Sequence, residues 1–362
     1  MLLNSFLVLG KRGMPFCAFL KYLENAVENS FFCCYNIEAS GNFLVICPYD
    51  EDGSSLYKFM KKRILLNYPF CGDNLYIETY CKALKNIAIK HNFFYEEYPI
   101  WDLEFKLTKF EGFTVYIIPF HRRHTLKQFE DVKNYFGSNE NSKIVVLGSD
   151  LIYEPENAIK WNPDLLIEAT IANKLQTQCN FPVESIYWNI SKQTIQEIKN
   201  KKLIFSPENK KYDLISLCRC DSLKKKRYEL FERLKNKFSF LYNLGNWNFN
   251  EVCELYNKSW FVIGTTTCAI GIHNIRTMKG MRDSMAPFCG TLLLSDDYPD
   301  MIEQLNDSEM IYKNYDNLIK KIDLYKNNPN KYKEKIEKQK VIFEKYNMDD
   351  QLENLFSKYR LL

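Results

Sequence analysis

Asn274-Ile-Arg-Thr-Met-Lys-Gly-Met-Arg-Asp-Ser-Met-Ala-Pro-Phe-Cys-Gly-Thr-Leu-Leu-Leu-Ser-Asp-Asp297 reads as a loop, a short helix and a strand in one stretch. The helix covers Arg282 to Phe288 and closes at Gly290, because glycine accepts the left-handed backbone that ends a helix. Thr291-Leu-Leu-Leu294 then reads as a buried strand, with Asp296 and Asp297 just past its carboxyl end. Helix, glycine, apolar strand and polar tip form one step of a parallel βαβ chain.

The same step repeats outward. Asp213-Leu-Ile-Ser-Leu217, Phe238-Ser-Phe-Leu-Tyr242 and Trp260-Phe-Val-Ile-Gly264 read as strands, separated by helices over Ser222–Asn236 and Glu251–Asn257. Earlier in the chain, strands are expected at Asn42–Cys47, Phe113–Pro119, Lys143–Gly148, Pro163–Ile167 and Ser185–Trp188. A helix over Leu75–His91 places Ile77, Tyr80, Cys81, Leu84, Ile87 and Ala88 on one face. Another over Thr125–Phe136 opens with Thr125 and Gln128 in capping-box spacing and stops before Gly137. The polar run Ser206–Asp213 separates the two sets. The fold class expected is α/β with two Rossmann-like domains, over 42–207 and 208–340. Residues 1–41 form an extension or an extra βα unit, and a last helix over 341–362 crosses back to brace the first domain.

Composition sets the outer bounds. The chain has 362 residues, enough for two domains, with 49 Lys and Arg against 45 Asp and Glu and a net charge of +4. The basic runs Lys199–Lys202 and Lys224–Arg227 are short, and no dense basic stripe marks a nucleic-acid binder. No apolar run reaches the length of a membrane span. The apolar start Met1–Leu9 has neither a basic region before it nor a small-residue cleavage site after it, so it reads as a strand. The 12 cysteines are irregularly spaced, adjacent at Cys33-Cys34 and otherwise largely solitary. They read as reduced, buried residues of a cytoplasmic protein, not as a zinc or disulfide framework.

The Arg282-Asp283, Ala286-Pro287 and Gly290 core, with its apolar strand and Asp296-Asp297, resembles the R-D-x-E-x-P-a-x-G-G-x-x-L segment of group 1-type glycosyltransferases. The flavour is that of the spore-maturation-protein (CgeB-like) branch. Glu251–Ser259 upstream and Ile311–Leu318 downstream are similar to that family's flanking motifs, and the likeness covers about residues 213–358. The resemblance implies a GT-B fold, two Rossmann-like domains facing an interdomain cleft. It implies a nucleotide-diphosphate-sugar donor on the C-terminal half, and transfer to a hydroxyl of a glycan, glycolipid or protein. One departure stands out: the two Glu of retaining members map to Thr277 and Met285. Either Asp283 or Asp296 replaces them, or donor handling is altered, or catalysis is lost. A non-catalytic binding or scaffold protein, and another nucleotide-sugar-handling enzyme, are the alternatives. A transferase acting on a nucleic-acid base is a further one, against which the small net charge argues.

Ligands of open parallel sheets bind beyond the carboxyl ends of the strands, so those loops supply the candidates. On the donor side, Arg282 combines a guanidinium with a helix start, both suited to a diphosphate. Arg276 and Lys279 share its loop. Thr265 and Thr266 offer hydroxyls, and His273 and Asn274 lie in the glycine-flanked stretch Gly271–Arg276. Arg227 reads either as a donor contact or as a solvated helix residue. On the acceptor side, His121 and His124 flank Arg122 and Arg123 directly after a strand, which suits a general base or a basic surface turn. Asp50 and Asp52 follow the Asn42–Cys47 strand as a base candidate or a polar turn, and Asp150 follows Gly148 as a base candidate or a cap. No metal-ligand cluster is apparent, and no cofactor beyond the donor substrate is expected. The partners expected are the donor and a glycan, lipid-linked or protein acceptor, without nucleic acid or a transmembrane segment and with room for peripheral membrane contact.

Overall fold

A computed structural model describes residues 32–34, 46–48, 62–68, 74–99, 112–119, 130, 134, 142–148, 155–168, 179–217, 225–242, 248–265 and 281–362. The chain forms two compact units: residues 1–63 with 106–113, and residues 64–105 with 114–362.

In the first unit, β1 (Phe32–Cys34) pairs antiparallel with β2 (Ile46–Pro48), with Cys33 opposite Cys47. The strand expected over Asn42–Cys47 is therefore found at 46–48, in a two-stranded sheet of its own and outside the parallel sheets. A continuous apolar run, Phe43–Cys47, marked it as a strand, but nothing local fixed its partner.

Apart from Lys62, Arg63 and Phe113 at strand starts, the second unit holds two larger sheets. The first contains β3 (Lys62–Tyr68), β4 (Phe94–Pro99), β5 (Phe113–Pro119), β6 (Ser142–Gly148), β7 (Leu165–Glu168) and β8 (Val183–Ser185), in the order β4-β3-β5-β6-β7-β8. Strands β5 through β8 run parallel, with Pro119 in register with Leu147, Gly148 with Glu168, and Glu168 with Ser185. Val115–Ile118, Val145–Leu147 and Leu165–Ile167 are buried, as continuous apolar runs covered on both faces must be. Helix α1 (Asn74–Lys90) buries Tyr80, Ala83, Leu84, Ile87 and Ala88, most of the face its periodicity marks. Helix α2 (Pro155–Trp161) precedes β7, and α3 (Lys192–Asn200) follows β8. The sequence reading missed β3 and β4. In β3 the apolar run is only Ile64–Leu66 between charged and polar neighbours.

The second sheet contains β9 (Tyr212–Ser216), β10 (Phe240–Tyr242), β11 (Ser259–Gly264), β12 (Leu292–Asp296) and β13 (Ile311–Tyr312), in the order β10-β9-β11-β12-β13. All its pairings are parallel. The chain runs first to one edge and then to the other, so the winding reverses between β9 and β11. Helices α4 (Lys225–Lys235), α5 (Phe249–Asn257), α6 (Pro299–Leu305), α7 (Tyr315–Lys326) and α8 (Pro329–Lys345) make the crossovers and cover the faces. The short helix expected over Arg282–Phe288 is two 3₁₀ turns, Met281–Met285 and Pro287–Cys289, closed by Gly290 at φ 72°. Pro287 removes an amide donor at the junction, which is why one continuous helix does not form.

The connection into the second sheet is pinned to it. A Cβ at Gly290 would lie 2.7 Å from the Phe205 nitrogen, so only glycine lets the two backbones touch. Lys210 donates through Nζ to the carbonyls of Asn257 at 2.9 Å and Gly290 at 2.8 Å. Phe205 packs on Tyr332 and Trp260 with ring centroids 4.4 and 5.5 Å away. The final helix, α9 (Met348–Lys358), packs on α1: Asn86 donates to Asp349 at 2.8 Å, and Lys90 and His91 meet Glu353 at 2.7 Å. Among the described residues, no helix is long and apolar enough to cross a membrane.

Candidate active site

In a sheet wound both ways, the crevice opens where the strand order reverses, because the loops there leave in opposite directions. In the second sheet that point lies beyond Ser216 of β9 and Gly264 of β11. Two arginines converge on it. Arg282 donates through Nη1 to the Leu217 carbonyl at 3.4 Å, one residue past β9. Arg227, on α4, donates through Nη2 to the Thr265 carbonyl at 3.4 Å, one residue past β11. Arg282 is half-buried, whereas Arg227 is only 4% exposed. The solvated-helix reading of Arg227 does not hold. Arg227, Phe231 and Leu234 recur at i, i+4 and i+7 and form the buried stripe of α4. That spacing was the available signal.

The floor of the site is hydrogen-bonded into place. Ser216 Oγ donates to the Ile263 carbonyl at 2.9 Å, tying β9 to β11, and the Tyr312 hydroxyl donates to the Gly264 carbonyl at 2.9 Å. Thr265 is 4% exposed, and its Oγ1 is buried without a hydrogen-bond partner. A buried hydroxyl in that state costs about 1–3 kcal/mol unless something binds it. Asp283 is 2% exposed and lies against Gly264, where a Cβ would come within 3.3 Å of Oδ2. Burial pushes the Tyr298 phenol well above its usual range, and the neighbouring carboxylates of Asp296, Asp283 and Asp300 push the same way. Met285, at one position where the retaining enzymes the sequence resembles carry Glu, is fully buried in the core. The 3₁₀ geometry also changes the argument for Arg282. A five-residue turn has little aligned dipole, so the guanidinium itself, not a helix end, carries the charge.

The first sheet presents the ends of β5, β6 and β7 at Pro119, Gly148 and Glu168. Glu168 was not a sequence candidate: it is the last residue of a strand buried at every position. It is fully buried, and Gly148 leaves the room for its carboxylate, since a Cβ there would fall 1.9 Å from Oε1. A charged residue ending an apolar strand, with glycine ending the strand before, was the signal that could have found it. His121, His124, Asp50, Asp52, Asp150, Thr266, His273, Asn274, Arg276, Thr277 and Lys279 lie outside the described residues. No cluster of metal-ligating side chains occurs among the described residues.

No family model and no curated protein matches the chain. Solved structures do. The DNA-modifying enzyme β-glucosyltransferase, solved with and without uridine diphosphoglucose, superposes with a TM-score of 0.55 at 14% identity, over 83% of this chain and 100% of that one. An α-glucosyltransferase bound to UDP and a 13-mer DNA gives 0.57 at 9% identity, over 82% and 98%. T4 phage β-glucosyltransferase with UDP and Mn²⁺ gives 0.51 at 14% identity, over 82% and 99%. With its two parallel sheets and these neighbours, the chain has the GT-B fold of the glycosyltransferases.

Proposed function

We propose that the protein is a glycosyltransferase that uses a nucleoside-diphosphate sugar. The observation that carries this reading is the pair of guanidiniums, Arg227 and Arg282, at the point where the second sheet reverses its winding. Two such groups beside the buried Thr265 hydroxyl suit a diphosphate, whose charge grows as it leaves. Residues 208–340 form the donor side, with Arg276, Lys279, Thr266, His273 and Asn274 as further contacts and Asp283 or Asp296 in place of the missing glutamates. Residues 42–207 form the acceptor side. The acceptor hydroxyl oxygen bonds to the anomeric carbon, the bond to the diphosphate breaks, and its electron pair leaves with the phosphate. A base on the acceptor side takes the hydroxyl proton, with His121, His124, Asp50 and Asp150 as candidates. The guanidiniums neutralise the leaving group, so no metal is required. The resemblance to the spore-maturation branch supports a glycan, lipid-linked or protein acceptor, within a cytoplasmic protein.

A second acceptor reading is favoured by one observation. The structural neighbours spanned almost end to end by this chain act on or were solved with DNA. A hydroxylated base in DNA is the alternative acceptor, against the small net charge of +4.

Calorimetry with UDP tests the donor site. Arg282→Ala is expected to weaken binding by about 10- to 100-fold, from charge-assisted contacts of about 1.5–3 kcal/mol. Unchanged affinity in a folded variant would remove Arg282 from the site. UDP-glucose turnover measured against glycan, lipid and hydroxymethylated-DNA acceptors separates the acceptor readings. Turnover that EDTA abolishes and Mn²⁺ restores would overturn the metal-free reading.

A further inference from the structure

We infer that Ser284 is a positioning residue for Arg282, its hydroxyl tying the turn that carries the guanidinium to a frame built by the end of the first sheet and α9. The inference rests on the transferase reading above and deepens its donor site. Arg227 and Arg282 reach the same crevice from different mounts. Arg227 stands on α4, a helix of 11 residues with a hydrogen-bond ladder of its own. Arg282 stands on a 3₁₀ turn of 5 residues, Met281–Met285. A turn that short makes few internal bonds, and of poorer geometry, so what fixes its side chains lies outside it.

Ser284 supplies that outside contact. Its Oγ donates at 2.6 Å to the Met281 carbonyl, which belongs to the peptide leading into Arg282. The same oxygen accepts from the Ile190 amide at 3.3 Å, across 94 residues of sequence. A hydroxyl has one hydrogen to give, and this one gives it to the arginine turn while accepting from the other half of the chain. Ser284 and Ile190 are both 0% exposed, so water does not compete for either bond. Ile190 follows β8 and is itself held. Its carbonyl accepts from the Met348 amide at 3.2 Å, at the start of α9. One residue earlier, Asn189 donates through Nδ2 to the Tyr346 carbonyl at 2.6 Å. The Tyr187 backbone is clamped by Gln351 at 2.7 and 2.9 Å. The run from α9 through Ile190 to Ser284 and Met281 is continuous, and it ends on the residue before Arg282.

Without the hydroxyl, the Ile190 amide loses this acceptor and the peptide before Arg282 loses its tether. The guanidinium then spends less time where a diphosphate needs it. The loss falls on the phosphate part of the ligand, because that is what a guanidinium recognises. A hydroxyl that merely stabilised the fold would lower the denaturation midpoint without separating ligands that carry phosphate from those that do not.

The test uses the full chain, with UDP read by calorimetry and uridine, which has no phosphate, by competition against it. Ser284→Ala is expected to weaken UDP binding about 5- to 20-fold, short of the about 10- to 100-fold of Arg282→Ala, with uridine affinity unchanged. Added to Arg282→Ala, the same substitution is expected to cost less than about 2-fold more, because no guanidinium is left to position. Unchanged UDP affinity in Ser284→Ala, where Arg282→Ala weakens it, would overturn this inference alone. So would an equal loss for uridine, or a loss that simply adds to that of Arg282→Ala. Should Ser284→Ala not fold, Ser284→Cys, which keeps a weak donor and acceptor, is taken through the same measurements. Failure of both to fold would assign Ser284 to the core and overturn the inference too. No effect of Arg282→Ala on UDP binding, or no UDP binding by the wild type, would overturn the donor-site reading and, with it, this one.

Discussion

At the scale of single residues, the two sheets place side chains where composition gives no hint of their surroundings. Lys210 is an example. Burial lowers its ammonium pKa to about 7, against a weaker opposing effect of the Cys289 thiol. An unfolded chain therefore binds more protons at this site between about pH 7 and the usual lysine value, and stability must rise with pH across that window. The thermal midpoint of the wild type is expected to climb between pH 7 and 9.5 by more than that of Lys210→Met. An equal climb in both would show that Lys210 is not the source. Gly290 makes a second residue-scale prediction. Alanine there would combine the left-handed backbone with a contact of 2.7 Å to the Phe205 nitrogen. The expected cost is about 1–3 kcal/mol, read as a lower denaturation midpoint with UDP affinity retained.

At the scale of elements, helix α8 does work that its sequence does not advertise. Beside β12 its Gln339 acts as a strand would: Oε1 accepts from the Leu293 amide at 3.1 Å and Nε2 donates to the Leu293 carbonyl at 2.7 Å. Strand β13 is too short to reach that far, since its register covers only Ser295 and Asp296. Tyr332, two turns earlier on the same face, accepts from Leu292 at 3.0 Å and donates to the Trp260 carbonyl. Gln339→Leu keeps the volume and strands two buried backbone groups, at about 1–3 kcal/mol each. Chemical denaturation should show a loss of about 2–6 kcal/mol, and a change within error would mean the backbone finds other partners. The same helix closes an ion-pair cluster. Burial pushes the Asp307 carboxyl up, but Lys335 at 2.7 Å and Lys338 at 2.8 Å outweigh it and hold it down at about 2. Its contribution is present above the ordinary carboxylate range and is lost as pH falls toward 2.

At the scale of the whole molecule, α9 belongs by sequence to the second half and by packing to the first. Asp349, 4% exposed, accepts from Asn86 and from the Lys192 amide, both at 2.8 Å. The Lys192 amide is in the first turn of α3, where helix N–H groups have no partner within the helix. Gln351 exchanges hydrogen bonds with the Tyr187 backbone at 2.7 and 2.9 Å, and Met348 donates to the Ile190 carbonyl at 3.2 Å. Across the same junction the Ile190 amide donates to Ser284 Oγ at 3.3 Å, two residues from Arg282. Deleting residues 347–362 should therefore unfold or loosen the sheet that contains α1 and β8, not the sheet nearer in sequence. Hydrogen exchange would read this as faster exchange in α1 and β5–β8. Unchanged exchange there would show that α9 is dispensable.

The sequence by itself determined the alternation of strand and helix. It fixed the strands over 113–119, 143–148, 260–264 and 291–294, and the polar connection near 206–213. Those features are local: apolar runs, glycine at a helix end, charge in a loop. Tertiary structure alone decided which strands became neighbours, and so where the winding reverses. It alone buried Arg227 beside Thr265, sent Ile46–Pro48 to a separate sheet, put Met285 in the core, and laid Glu168 over Gly148. Each of these depends on a partner far away in sequence, and the chain's local pattern carries no record of which partner it will meet.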